Sequence, residues 1–295
     1  MSAIVDRLRR GPTLLLDGAF GTMLLSRGLP AGRPPEAWAL ERPEEVSAVH
    51  RAYVGAGSEA IHTSTFGANP IRLALFGLAE RCEEIHAAAG RLAQSAQARF
   101  VIADVGPTGV YLPPIGDADP EMIHAAFARQ GRAIARAGVD AIHIETMTDL
   151  REARIALRAL SENAPGLPLF ASLSFDRKKR GFFTLMGDPL VPALSEMLEM
   201  GAAAVGANCA LASRDILDLA REARAAIGDP LIIQPNAGQP GVRDGHLVYD
   251  QRPEEFAADL APLAGEGIAA LGGCCGTDPR FIEALGRLLG RRESR

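Results

Sequence analysis

The chain has 295 residues, 47% of them hydrophobic and 23% charged, and its formal net charge is −5. These are values of a globular protein, and the acidic balance gives no electrostatic reason to expect nucleic acid as a partner. No run of about 18 apolar residues is present, and residues 1–11 carry arginines where a secretory signal would be apolar, so no membrane association is expected and the protein is read as cytoplasmic. Four cysteines are too few for a disulfide scaffold in so long a chain; in a reducing compartment thiols are ligands, nucleophiles or core.

Residues 13–17 read as a first strand that ends in the carboxylate of Asp17, and Gly18-Ala19-Phe20-Gly21-Thr22 as a glycine-rich turn at its exit. After a Gly/Pro-rich excursion over 28–35, Val46, Val49, Tyr53 and Val54 recur at helical spacing. Residues 59–65 form a second strand, left through Phe66-Gly67-Ala68-Asn69. Cys82, Ile85, Ala89 and Leu92 mark one face of the next helix, which makes Cys82 a core residue. A third strand over 99–105 leads into a long loop, and a helix follows to about Ala137.

In the fourth strand, 139–145, alternation puts Ala141, His143 and Glu145 on one face and Ile142 and Ile144 on the other. A helix marked by Leu150, Ala153, Leu157 and Leu160 precedes a fifth strand over 168–174. Residues 175–187 read as a polar loop holding Arg177-Lys178-Lys179-Arg180, a solvated basic run that could also help dock an acidic partner. A helix over 190–200 leads to a sixth strand over 203–208, ending at Cys209, and Ser213 suits the cap of the helix after it. The seventh strand, 231–235, exits at Asn236, and the eighth, 268–271, runs into Gly272-Gly273-Cys274-Cys275-Gly276-Thr277 before a last helix capped by Asp278.

Strands and helices alternating in this way predict an α/β protein, a closed (β/α)8 TIM barrel forming one domain over residues 1–295. A doubly wound open sheet would carry a phosphate fingerprint after its first strand, and Gly18-Ala19-Phe20-Gly21 lacks that spacing.

A barrel of this kind keeps its active site at the carboxyl ends of its strands, where Asp17, Thr65, Glu145, Cys209, Asn236, Cys274 and Cys275 all fall. Cys209 follows strand six and the cysteine pair follows strand eight, so three thiolates can surround one point. Three sulfurs with one open position is the pattern of a reactive zinc site, since a structural site closes with a fourth Cys or His. Adjacent cysteines make a strained disulfide with each other and lack the two-residue spacing of a redox pair. Blander readings stand beside these: Asp17 as a turn cap, Glu145 as a helix-start carboxylate, Thr65 and Asn69 as loop braces, and His143 as a hydrogen-bonded core residue.

Taken in order, Asp17-Gly18-Ala19-Phe20-Gly21-Thr22, Thr63-Ser64-Thr65-Phe66-Gly67-Ala68-Asn69, Gly106-Pro107-Thr108-Gly109, Glu145-Thr146, Asn208-Cys209 and Gly273-Cys274-Cys275-Gly276 resemble the zinc-dependent homocysteine S-methyltransferases over nearly the whole chain. The likeness is nearest to the homocysteine-binding module of cobalamin-dependent methionine synthase. It implies Zn2+ on Cys209, Cys274 and Cys275, with Asn236 filling the fourth position in the absence of substrate. It implies too that the backbone around Gly18 and Ala19 receives the carboxylate of L-homocysteine, that Asp17 and Glu145 face its ammonium, and that Thr65 belongs to the same pocket. Carboxylates for an ammonium and amides for a carboxylate are what an amino acid needs.

The reaction so implied moves a methyl group onto the homocysteine thiolate to give L-methionine. No segment reads as a second domain for a corrin or a folate, so the donor is expected from outside: methylcobalamin or a corrinoid protein first, a sulfonium such as S-methylmethionine or S-adenosylmethionine second. Betaine fits worst, because Thr146 and not an aromatic follows Glu145, although Phe20, Phe66, Tyr111, Phe182 and Phe183 could gather at the mouth. A non-catalytic zinc-thiolate binding subunit is the alternative from another class.

Overall fold

A computed structural model describes residues 2–243 and 246–291. In chain order its strands are β1 (Leu14–Leu15), β2 (Ala60–His62), β3 (Phe100–Val105), β4 (Ala141–Met147), β5 (Leu169–Leu173), β6 (Phe175–Lys178), β7 (Gly181–Thr184), β8 (Ala204–Ala212), β9 (Leu231–Asn236), β10 (Pro240–Arg243), β11 (His246–Tyr249) and β12 (Ala270–Leu271). Eight of them form one parallel sheet in the order β1-β12-β9-β8-β5-β4-β3-β2, with helices between successive strands, as the (β/α)8 reading requires. The first strand pairs with the last, Leu14 opposite Ala270, and the remaining seam is bridged where Glu59 N donates to Leu15 O at 2.9 Å.

Period-two alternation sorts each strand. Ile61, Val101, Ile142 and Val205 point outward to the helices, while Ala60, Phe100, Ile102, Ala141, Phe170 and Ile232 fill the barrel. Beneath this inner layer the helix Ala3–Arg10, which the sequence reading did not foresee, plugs the amino end with Ile4, Val5 and Leu8. Burying each of those large side chains contributes roughly 1.5–3 kcal/mol. Two residues further along the strands the interior turns polar, with His62, Asp104, His143, Ser172 and Gln234 all buried. That change of layer marks where core ends and site begins.

Two expectations are corrected. Residues 175–187 are not an open polar loop: β6 and β7 form an antiparallel hairpin, with Arg177 opposite Phe182. Its period is hidden in sequence by the charges, because Phe175, Phe182 and Thr184 are buried while Arg177 lies over the Phe182 ring at 4.8 Å. Arg177 also pairs with Asp218 at 2.6 Å and Lys178 with Asp176 at 3.0 Å, so half of the basic run is neutralised locally. Ser213 does not cap its helix, which begins at Ile216; its hydroxyl donates to Asp259 Oδ2 at 2.6 Å instead.

Cys82 and Asp278 behave as expected. The Cys82 thiol is buried, donates to Ala68 O at 3.2 Å and is pushed up to about 12 by burial. Asp278 accepts from Arg280 N at 2.8 Å, capping the helix Pro279–Leu288. Among the described residues no helix is long and apolar enough to cross a membrane.

Candidate active site

Two strand ends bring the three sulfurs together. At the end of β8 the register to β9 shifts between Asn208 and Ala212, and Cys209 and Ala210 both take left-handed backbone, with φ of 59° and 47°. Such conformations cost on the order of 1 kcal/mol per non-glycine residue, and here the bulge turns Cys209 toward the barrel mouth. After β12, Cys274 N donates to Pro235 O at 2.8 Å, Ala237 N to Cys275 O at 3.0 Å and Gly273 N to Asp17 O at 3.0 Å. The cysteine loop is thereby sewn to the ends of β9 and β1.

The Sγ atoms of Cys209, Cys274 and Cys275 lie within 4.8 Å of one another. Hydrogen bonds from Cys274 and Cys275 pull Cys209 down to about 3, while the bond to Cys209 raises Cys274 and holds Cys275 up to about 11. Asn236, at the tip of β9, also donates to Cys209, and its Oδ1 is buried without a partner. Three soft donors around a point, with Asn236 hydrogen-bonded to one of them, fit a tetrahedral zinc ion.

The cluster opens into a cavity of about 390 Å³, lined by Asp17, His62, Thr65, Asp104, Glu145 and the three cysteines, with Phe20, Phe66 and Phe76 on its outer side. Asp17 is buried, and both of its oxygens serve His62: Oδ2 accepts from His62 N at 2.8 Å and Oδ1 meets His62 Nδ1 at 2.7 Å. Glu145 Oε2 accepts from Asn208 Nδ2 at 3.2 Å. Asn208 also accepts from Thr146 N at 2.8 Å and donates to Thr146 Oγ1 at 2.7 Å, which fixes Thr146 at a φ of 58°. Burial pushes Glu145 up to about 7 against the opposing charge of His62, with Asp17 and Cys209 adding to the rise.

The turn after β1 is equally constrained. Ala19 N donates to Thr277 Oγ1 at 3.0 Å, Thr277 Oγ1 donates to Cys274 O at 2.7 Å, and Tyr53 Oη donates to Ala19 O at 2.7 Å. A β-carbon on Gly18 would lie 2.5 Å from Thr277 Oγ1, so only glycine fits. With the Ala19 amide committed to Thr277, the turn's amides on either side of it are the ones left for a ligand. Thr65 Oγ1 donates to Asp104 O at 2.8 Å, and Asn69 caps the helix Pro70–Ala74 by accepting from Arg72 N at 2.9 Å. Both therefore brace loops, and Thr65 does so while lining the cavity.

Asp17, Gly18, Ala19, Thr65, Glu145, Cys209, Cys274 and Cys275 all line the one cavity, with Asn236 behind Cys209. The aromatic expectation holds only for Phe20 and Phe66: Phe182 is buried at 4% exposure under Arg177, Tyr111 is 47% exposed, and neither they nor Phe183 line the cavity. Sequence reasoning missed His62, Asp104, Asn208 and Thr277. Asp104 had a visible signal, a lone carboxylate near the end of the apolar run of β3, and its Oδ1 is buried without a partner. Burial, then the charges of Glu145 and Asp17, hold its pKa well above the usual carboxylate range.

Comparison with known proteins places this geometry. Methionine synthase from Mycobacterium tuberculosis is 29% identical over 290 residues, covering 91% of this chain and 24% of that protein. Methionine synthase from Mycobacterium leprae is 27% identical, covering 93% and 24%. The chain thus spans about a quarter of the length of these relatives. Among solved structures, the metallated form of the homocysteine methyltransferase MmuM from Escherichia coli superposes with a TM-score of 0.80 at 24% identity, covering 97% of this chain and 98% of that one, which shows the shared barrel. The family model for homocysteine S-methyltransferase matches residues 14–289, from the first strand through the last helix, and the chain belongs to that family.

Proposed function

We propose that this barrel is a zinc-dependent methyltransferase that methylates L-homocysteine to L-methionine, one zinc ion being held by Cys209, Cys274 and Cys275, with Asn236 as a fourth ligand in the absence of substrate. The observation that carries the reading is the set of three sulfurs within 4.8 Å of one another, opening into the cavity that Asp17 and Glu145 line. The chemistry such an ion supplies is deprotonation of a coordinated thiol, so that a thiol with an ordinary pKa of about 8.5 is a thiolate at neutral pH. The protein's own residues do the positioning. Glu145 and Asp17 draw the ammonium, the amides of the turn after β1 receive the carboxylate, and Thr65 keeps β2 and β3 in register beneath them. The homocysteine sulfur then bonds to the methyl carbon as the methyl–donor bond breaks, its electron pair leaving with the donor.

The donor is read as a methyl-corrinoid, free or carried by a separate protein, which accords with the likeness to methionine synthase. A second reading has its own observation: Phe20, Phe66 and Phe76 line the cavity, aromatic surface that suits a sulfonium such as S-methylmethionine or S-adenosylmethionine, with Arg72 lying over the Phe66 ring at 5.7 Å. Zinc content and methionine formation, measured across methylcobalamin, both sulfonium donors and betaine, decide between them. One zinc per chain and product from a single donor are expected, both lost in Cys274→Ala. Zinc without product from any donor would favour a non-catalytic thiolate-binding subunit, and absence of zinc would refute the reading.

A further inference from the structure

His62 and His143 stand beneath the carboxylates of the cavity with every ring nitrogen engaged. Asp17 Oδ1 meets His62 Nδ1 at 2.7 Å, His62 Nε2 meets His143 Nδ1 at 3.0 Å, and His143 Nε2 meets Ser172 Oγ at 2.8 Å. The two ends of this chain differ in kind. An ionised carboxylate only accepts, so His62 Nδ1 keeps its proton throughout; a hydroxyl donates or accepts by rotating, so Ser172 serves either tautomer of His143.

Two complete hydrogen-bond patterns therefore fit one set of heavy-atom positions. With neutral His62, His143 carries its proton on Nδ1 and donates it to His62 Nε2, while Ser172 donates to His143 Nε2. With His62 as an imidazolium, His62 Nε2 donates to His143 Nδ1, and His143 donates from Nε2 to Ser172. The pair can gain or lose one proton without stranding a buried polar atom.

Its surroundings decide when each pattern holds. The titratable groups around His62 are Asp17 after β1, Asp104 on β3, and His143 and Glu145 on β4. Burial draws the His62 pKa down, but the charge and hydrogen bond of Asp17 and the charge of Glu145 outweigh it and leave the pKa above its ordinary value. Burial and then the charge of His62 keep His143 well below its ordinary value, so any positive charge resides on His62. Asp17, Asp104 and Glu145 line the same cavity as His62, whose lining also includes Glu36, Arg33 and Arg72, and the buried Oδ1 of Asp104 has no partner.

We propose that His62 is a positioning residue that holds this positive charge in the unliganded cavity and gives up one proton when an amino acid's ammonium enters among Asp17, Asp104 and Glu145. His143 changes tautomer in step, and Ser172 reverses its hydroxyl. One proton passes to solvent, no bond to carbon changes, and the ammonium takes over the positive charge. The inference rests on reading the cavity as an α-amino-acid site.

The test uses L-methionine, whose thioether has no proton to lose, titrated calorimetrically into zinc-loaded protein in buffers of different ionisation enthalpy. Proton release is expected on binding at and just above the ordinary histidine pKa of about 6.5, fading as pH rises; His62→Gln is expected to release about one proton fewer per ligand than the wild type. Should that variant fail to fold, the 15N resonances of the wild-type rings decide. On ligand addition His62 is expected to pass from imidazolium to the neutral Nδ1–H form and His143 from Nε2–H to Nδ1–H. Binding without buffer-dependent heat and with unchanged ring nitrogens would overturn the proposal while leaving the amino-acid reading intact. No binding of any α-amino acid would overturn both. A metal ion held by His62 and His143, whose nitrogens lie within 4.8 Å of a Glu145 oxygen, would also overturn it.

Discussion

The ring of Tyr249 occupies the space that a side chain on Gly276 would need: a β-carbon there would lie 2.2 Å from Tyr249 Cγ. Gly276 also has a φ of 81°, and the Tyr249 hydroxyl donates to Cys275, so the β10–β11 hairpin is clamped onto the cysteine loop. Gly276→Ala is expected to lose roughly 1 kcal/mol from backbone strain alone, more as Tyr249 is displaced, and to bind zinc more weakly. Zinc content at a fixed free-metal level, measured beside Tm, checks this. Adding Tyr249→Ala should return part of the stability, because the clash is then gone.

Asn208 joins three groups at once, the Thr146 amide, the Thr146 hydroxyl and Glu145. Asn208→Ala leaves a half-buried amide without its acceptor and frees Glu145 to rotate. A loss of about 2–4 kcal/mol in urea unfolding is expected, with KM for homocysteine raised more than kcat is lowered. Equal effects on both would show that Asn208 matters only to the fold.

Thr277 Oγ1 accepts from the Ala19 amide and donates to the Cys274 carbonyl, tying the turn after β1 to the cysteine loop. Thr277→Val keeps the shape and removes both bonds, for an expected loss of about 1–3 kcal/mol and weaker homocysteine binding by calorimetry. Thr277→Ser should stay near the wild type. If Val and Ser behave alike, the hydroxyl is not what holds the turn.

Asp104 sets a pH dependence whose sign follows from its raised pKa. An unfolded aspartate titrates near about pH 4, so between there and the folded value the native state binds the extra proton, and its stability falls as pH rises. Relative to Asp104→Asn, the wild type should be equally stable below about pH 4 and then lose up to about 1.4 kcal/mol per pH unit across that window. Urea unfolding of both proteins over a pH series measures the difference.

The barrel was legible because each strand repeats one pattern, apolar residues closed by a polar one, and because helices such as Leu150–Asn163 show their buried stripe in sequence. The sulfur cluster was legible because Cys209 and the Cys274-Cys275 pair sit at strand ends in glycine-rich or bulged chain. His62 and Ser172 were not, since each is a single polar residue whose meaning depends on which residue lies across the sheet. His143 showed its face by alternation, yet only the β2–β3–β4–β5 order brings it between the other two. The β6–β7 hairpin was hidden for the opposite reason: its exposed charges are conspicuous, and its inward residues Phe175, Phe182 and Thr184 are visible only once the strand period is applied.

The pairing of the first strand with the last bears on how the molecule is made. Thr13 and Ile268, hydrogen-bonded at 2.8 Å, are 255 residues apart, and the contacts that sew the cysteine loop to Asp17 lie at the same junction. Cys209 emerges from the ribosome well before its two sulfur partners, so it waits through the synthesis of strands β9 to β12 as a lone thiol. Contacts of such long range form late and slowly. With a metal held as proposed, its capture would serve as a latch on ring closure, and the rate at which a refolding chain takes up zinc would time the last step of its folding.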